Sequence, residues 1–286
     1  CVGFIAPHFP FIVPEPYFSK YYPDNVDMPN LPEGHLDNLP PSAERLRQMF
    51  GLDGKWTDDE IARARAAYFG LCEYLDDKIG HLMDVLEEQG LAENTVIVHT
   101  SDHGDMLGEH GLWRKMCFYE QSANVPLQIS WPGKFEGGQR VSEAVSNVDA
   151  VATILDIAGV ELDKWDLDGQ SLVPALEGDT STLNDVAISE HFAHGTDRAL
   201  GMVRSGDWKL CYGHGDPVEL ELYNLETDPG EFTNLAGVPE HAEIQARLLK
   251  ILLDQWGDPD VMTEKIIRDQ EDREIVRNVT GVGTIF

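Results

Sequence analysis

Basic residues are scarce in this chain. The 21 lysines and arginines stand against 51 acidic residues, a formal net charge of −30 over 286 residues. That balance opposes binding to nucleic acid or to an anionic lipid surface, because no local basic patch offsets it. Cysteine is scarce too: Cys1, Cys72, Cys117 and Cys211 are widely spaced and form no C-x-x-C pair. Their spacing argues against a zinc knuckle or a disulfide framework and leaves free, mostly buried thiols as the expected state. No apolar run reaches the roughly 18 to 20 residues needed to cross a bilayer, so no integral membrane segment is expected. Internal repeats and low-complexity blocks are missing as well. The N-terminus has neither an initiator Met nor a charged leader region. Cys1-Val2-Gly3-Phe4-Ile5-Ala6 reads as a buried strand already under way, so the chain is expected to be a piece of a longer protein.

What remains is long enough for one large α/β domain, or for a domain with an appendage. Prolines at 7, 10, 14 and 16 exclude helix and set an extended loop, and residues 17–50 read as loop-rich and aromatic. Thr57-Asp58-Asp59-Glu60 has the form of a capping box. Ile61, Ala64, Tyr68, Leu71, Leu75, Ile79, Leu82 and Leu86 then recur at helical spacing until Gly90 stops the run. Strands are expected at 96–100 and 125–131, and a helix at 148–158 closed by Gly159. Such alternation predicts an α/β fold over residues 1–185, a mostly parallel sheet flanked by helices. Past residue 185 short β-like runs separated by Gly, Asp and Pro turns predict a small antiparallel sheet. A helix over 239–256 should pack on it, making a subdomain of 186–257. The tail, 258–286, carries Ile266, Ile267, Ile275 and Val276 on a charged helical stretch that ends in Thr280-Gly281-Val282-Gly283, and it reads as an oligomer contact.

The chemistry concentrates in one loop, T-S-D-H-G-D-M-L-G-E-H-G-L-W-R-K at 100–115. Asp102 and His103 are ordinary ligands for calcium-, magnesium- or manganese-like ions and for zinc. As a bare dipeptide they more often cap a turn. Their position just past a buried strand, where ligand sites of open α/β sheets lie, favours the metal reading, and Lys115 adds an oxyanion donor in the same loop. Alone, Lys115 and its neighbour Arg114 could equally be solvated. His8, between Pro7 and Phe9, is alone more often a packed loop histidine, yet it too follows a strand end.

Together, P-H-F-P-F-I-V-P around His8, the loop at 100–115 and V-P-L-Q-I-S-W-P-G at 125–133 resemble the later part of a type I sulfatase, in the alkaline phosphatase superfamily. D-G-Q-S-L-V-P-A-L-E-G (168–178), R-S-G-D-W-K-L (204–210) and E-L-Y-N-L-E-T-D-P-G-E-F-T-N-L (221–235) extend the likeness over nearly the whole chain. A His after Asp102, where many arylsulfatases carry Asn, is similar to the choline-sulfatase, iduronate-sulfatase and phosphonate-monoesterase branch. The M-L-G-E-x-G-L-W-x-K-M run and the tail lean toward choline-sulfatase-like enzymes. The resemblance implies that Asp102 and His103 ligate a divalent metal (calcium, with manganese or magnesium as alternatives). It also implies that Lys115 bridges metal and sulfate oxygens, and that His8 binds the sulfate or assists the leaving group. The substrate would be a small-molecule sulfate ester, and the full-length protein a homo-oligomer.

The chain also departs from that family. The C-x-P-x-R segment whose Cys becomes formylglycine, and the first acidic metal ligands, are not among these residues, so no residue here is assigned as nucleophile. The sequence therefore predicts a portion of a sulfuric ester hydrolase that is inactive alone. Two other readings stand beside it: a phosphonate or phosphate monoester hydrolase, and a non-catalytic scaffold or assembly domain.

Overall fold

The computed structural model describes residues 1–52, 54, 56–193, 196 and 198–280, and the Gly-rich end expected at 281–283 lies outside them. Two helices precede the long one: α1 at Tyr17–Tyr21 and α2 at Pro41–Phe50. The loop expected over 17–50 is thus partly helical. Pro41 sits in the first turn of α2 and Gly51 closes it in the left-handed region, while Ala43 and Leu46 bury one face, a start and stop arrangement that favours a short helix. Helix α3, Asp58–Glu88, begins on the expected capping box: Thr57 accepts from Glu60 N, and Glu60 reaches back to Thr57 N. It packs on α1 through ring pairs Tyr17–Tyr74 and Tyr21–Phe69.

Strand β1 (Ile97–Thr100) pairs with β2 (Leu127–Ser130). Helix α4 (Glu120–Ala123) lies between them in the chain, and α5 (Asn147–Ile157) and α6 (Val173–Leu176) follow. The α/β class holds, but among the described residues the expected mostly parallel sheet is not seen: β1 and β2 run antiparallel. A parallel neighbour requires a crossover element across the sheet face. Here the connection is the chemical loop itself, which folds back at the strand end and carries no long helix. Residues 1–6, expected as a buried strand, pair with no strand among the described residues, and the first five are exposed.

Four strands then form an antiparallel meander, β3 (Ala187–His191), β4 (Leu200–Ser205), β5 (Trp208–Gly213) and β6 (Glu219–Asn224). Helix α7 (Ala242–Trp256) lays Leu248, Leu252 and Trp256, one helical face at i, i+4 and i+8, on the sheet. Burying each such side chain contributes about 1.5–3 kcal/mol. Gly201 makes this approach possible, since a Cβ there would stand 2.5 Å from the Trp256 ring. Helix α8 (Pro259–Thr280) adds Ile266 to the same core and exposes Ile275 and Val276 farther on. No helix among the described residues is long and apolar enough to cross a membrane. The four cysteines are free.

A second core joins α2 to the chemical loop: Ala43 and Leu46 from the helix meet Met106, Leu112 and Tyr119. Helix α2 also reaches β6, where Arg45 makes a two-pronged bond to Glu219 at 2.5 and 2.7 Å and Ser42 donates to Glu221 at 3.0 Å. The loop is therefore held between α2, α3 and the meander.

Candidate functional site

The loop leaves β1 at Thr100, where α5 stitches it down. Asn147 Nδ2 donates to Ser101 O at 2.8 Å, and Thr100 Oγ1 donates to Asn147 Oδ1 at 2.7 Å. Asp102 turns outward with its side chain 85% exposed, and its Oδ1 accepts from His103 N at 3.0 Å. His103 Nδ1 lies 2.7 Å from Gly104 O. A carbonyl oxygen only accepts, so Nδ1 carries the hydrogen and, in the neutral ring, Nε2 presents a lone pair. That lone pair is 3.5 Å from Asp102 Oδ2. Two electron-pair donors facing each other at this distance suit a cation between them, and a carboxylate oxygen with an imidazole nitrogen is a donor set for divalent metals. Two donors do not complete a site, and among the described residues no group of three His, Cys, Asp or Glu converges to hold a metal.

His8 and Lys115 arrive from opposite ends of the sequence. Lys115 Nζ donates to His8 Nε2 at 2.7 Å, and His8 Nδ1 lies 2.7 Å from Phe9 O. The Phe9 carbonyl fixes the His8 tautomer, so Nε2 is the acceptor that aims the ammonium. The His8 and His103 rings meet edge to face at 5.9 Å. The structure thus brings all four expected residues into one continuous cluster. Burial lowers the Lys115 pKa, partly opposed by Asp102 and Asp105. Lys115 has two N–H groups left after bonding His8, which is what an oxyanion would need.

The loop's shape depends on residues beyond those four, and Gly104 bears out the tight backbone approach that a glycine allows. Gly104 N donates to Ser122 O at 2.8 Å, and a Cβ on Gly104 would stand 2.0 Å from Gln121 O, so only glycine fits. Leu107, His110, Arg114 and Met116 are four of the six non-glycine residues with positive φ among the described residues. Such strain persists only where surroundings over-determine it. Asp105 supplies part of that constraint by accepting from Leu107 N at 3.0 Å and Arg114 N at 3.1 Å. Burial raises its pKa despite those two bonds.

Arg65 supplies more. Its side chain, 5% exposed, donates to Leu107 O at 2.8 Å, Glu109 at 3.1 Å, and Asp27 O and Oδ2 at 2.8 and 2.9 Å. A helical-face arginine is ordinarily solvated, so nothing local in the sequence marks this one. Arg65→Met is expected to lower unfolding stability by about 3 kcal/mol, since two carbonyls lose their donor and Glu109 loses its counter-charge, keeping Asn30 N as a partner. Urea denaturation reads this directly, and a loss under about 1 kcal/mol would show that the guanidinium does not brace the loop.

Beyond Lys115 the loop runs into α4, whose Glu120 meets the meander. Lys209 on β5 is fully buried and contacts Glu120 at 2.8 Å and Glu231 at 2.7 Å. Glu231 also accepts from Glu120 N at 2.7 Å. His110 is buried as well, stacked on Tyr119 with ring centroids 3.8 Å apart and bonded to His35 at 2.9 Å. Cys117, two residues past Lys115, has its thiol pushed up to about 12 by burial, so it is no nucleophile.

Known proteins match this chain along most of its length. A family model described as "Sulfatase" matches residues 1–160, and one described as "N-sulphoglucosamine sulphohydrolase, C-terminal" matches 108–258. A choline-sulfatase of Rhizobium meliloti is 38% identical over 253 residues, 86% of this chain and 48% of that protein. An N-acetylglucosamine-6-O-sulfatase of Bacteroides thetaiotaomicron is 35% identical over 214 residues, 71% of this chain and 38% of that protein. Among solved structures, a phosphonate monoester hydrolase from Silicibacter pomeroyi aligns with TM-score 0.76 at 31% identity, covering 87% of this chain and 54% of the other. The chain spans about half the length, or less, of the curated relatives it matches.

Proposed function

The chain belongs to the sulfatase family of hydrolases, and from that premise we propose that it supplies the sulfate-binding groups and part of the metal site of a sulfuric ester hydrolase. The observation that carries this is the 2.7 Å bond from Lys115 Nζ to His8 Nε2, set beside the paired donors Asp102 and His103. In this reading Lys115 holds the sulfuryl oxygens with its remaining N–H groups, and the Phe9 carbonyl and His8 keep the ammonium pointed at them. Charge that develops on those oxygens in the transition state is met by a fixed ammonium in a partly desolvated site, where such a contact is stronger than in water. Asp102 and His103 would hold a divalent ion, calcium first with manganese or magnesium as alternatives. When bound it supplies Lewis-acid polarisation and charge neutralisation. Formylglycine does not fit any cysteine here: the C-x-P-x-R flanks are absent from the 286 residues. We therefore propose that this chain alone does not turn over sulfate esters. Association of copies through α8 belongs to the same proposal.

Calorimetry tests it. Inorganic sulfate should bind the chain, with Lys115→Ala weakening it about tenfold or more, the worth of one charge-assisted hydrogen bond. Calcium or manganese should bind weakly and Asp102→Ala should abolish that binding. Sulfate affinity indifferent to Lys115→Ala would sink the assignment, and ester turnover by the chain, lost in Lys115→Ala, would sink its inactivity. A phosphonate or phosphate monoester is the second reading, favoured by the likeness to the Silicibacter pomeroyi phosphonate monoester hydrolase. Methylphosphonate binding more tightly than sulfate would support it.

A further inference from the structure

Beside the His8–Lys115 pair lies a cleft of about 370 Å³, a size suited to a small organic group. Its walls come from four places in the chain: Phe9 after His8, Phe50 at the end of α2, Trp56 just before α3, and Trp113 with Arg114 just before Lys115. Phe9 is the common wall between cleft and anion site. Its ring stacks on His8 with centroids 4.2 Å apart, and Lys115 Nζ stands 5.6 Å from its centre. A molecule whose oxyanion sat on Lys115 would therefore extend naturally along Phe9 into the cleft.

An aromatic-walled cleft next to an anion site invites a quaternary ammonium, through cation–π contact. The structure argues otherwise. The Arg114 guanidinium already lies over Phe9 at 4.5 Å and over Phe50 at 4.7 Å. Those faces hold a fixed internal cation, and a second one brought alongside would be repelled by it. Glu60 is the acidic residue of the lining; it keeps its charge but is turned to the start of α3, where its Oε2 accepts from Thr57 N and Thr57 Oγ1, each at 2.8 Å. What remains open is indole and aliphatic surface, chiefly Trp56, which is 52% exposed, with Trp113 and Ile61. Such surface rewards a neutral aromatic or apolar group that loses little by leaving water.

We infer that this cleft receives the alcohol portion of the ester, and that the alcohol it accepts is neutral and aromatic or apolar, with quaternary ammonium groups excluded by Arg114. This rests on the functional reading above, since it takes Lys115 as the anchor of the oxyanion. The cleft itself can be probed without catalysis, because Trp56 and Trp113 report on it. Titrating the 286-residue chain with 4-nitrobenzyl alcohol, neutral and a quencher of indoles, should give saturable loss of tryptophan fluorescence. A large excess of choline chloride should not displace it. Trp56→Leu, at a half-exposed position whose change spares the core, should weaken the alcohol's binding by about tenfold. Arg114→Gln should let choline compete, which no general loosening of the fold would produce selectively. Circular dichroism melts confirm that each variant is folded.

Displacement of the alcohol by choline from the unaltered chain would overturn the inference, as would quenching that never saturates or is indifferent to Trp56→Leu. Inorganic sulfate, measured separately by calorimetry, keeps the two readings apart. Saturable alcohol binding without sulfate binding upholds the cleft and removes the anion site. Sulfate binding without alcohol binding does the reverse.

Discussion

Lys209→Met is expected to lower stability by about 3–5 kcal/mol, the cost of breaking a buried ion network by deleting one member. The lysine has no exposed side-chain surface, and both of its partners, Glu120 and Glu231, lie within 2.8 Å. Burial alone would lower its pKa, but the two carboxylates outweigh that and raise it, so it stays charged. Glu231 is itself pushed up by burial and held down in part by Lys209. Remove the ammonium and that carboxylate stays buried beside the Glu120 carboxylate, with the Glu120 N–H but no counter-charge. Methionine keeps the length of the stem, so the loss is electrostatic rather than volumetric. Urea unfolding should show a lower midpoint at unchanged slope. Adding Glu231→Gln to Lys209→Met should return part of the loss, because the stranded charge is then gone. No recovery in the double variant would mean that the network acts through packing instead.

His110 gives the second large effect, on acid stability. Burial pushes its pKa down to about 3 from an ordinary 6.5, with the charges of His35 and Lys209 adding to it. A histidine whose folded pKa lies below its unfolded value remains neutral in the folded chain while the unfolded chain takes up a proton. Its contribution is therefore fully present above about pH 6.5 and is lost as pH falls toward 3, about 1.4 kcal/mol per unit and about 5 kcal/mol in all. His110→Asn tolerates the residue's positive φ of 53°, as asparagine commonly does. It gives up the stack on Tyr119, so it should be about 2 kcal/mol less stable at neutral pH. It should also lose stability more slowly on acidification, so the two curves should cross near pH 5, about 1.5 units below the histidine's unfolded pKa. Parallel curves from pH 7 to pH 4 would remove His110 as the acid-labile group.

Neither effect could be read from the sequence, and the reason is physical. Whether a lysine or histidine is buried depends on partners far along the chain, here Glu120, Glu231 and His35, and a side chain carries no local mark of them. Local rules did work where the determinants were local. Thr57 and Glu60 announced the start of α3, and Gly90 follows its end closely. The meander's strands fall past residue 185, where the short β-like runs predicted an antiparallel sheet, because alternation and turn residues act over a few positions. The α2 helix was missed because the prolines and aromatics around it masked a single ten-residue segment. Strand direction was misjudged for a different cause: alternation of helix and strand says what the elements are, while pairing of β1 with β2 is decided by how the connecting loop folds. That loop's chemistry was legible, since Asp102, His103 and Lys115 stand close together in sequence. Its bracing by Arg65 was not.

The same loop has a property that bears on the order of folding. Gly104 bonds to Ser122, Met106 to Arg114, and Gly108 to Leu112, so its internal bonds all close within about twenty residues, where loop entropy is small. Arg65, His8 and Lys209 join it across much longer stretches. The hairpin-like frame that presents Asp102, His103 and Lys115 can therefore start to assemble from local contacts at small entropic cost, while its strained backbone is held only once the distant clamps are in place.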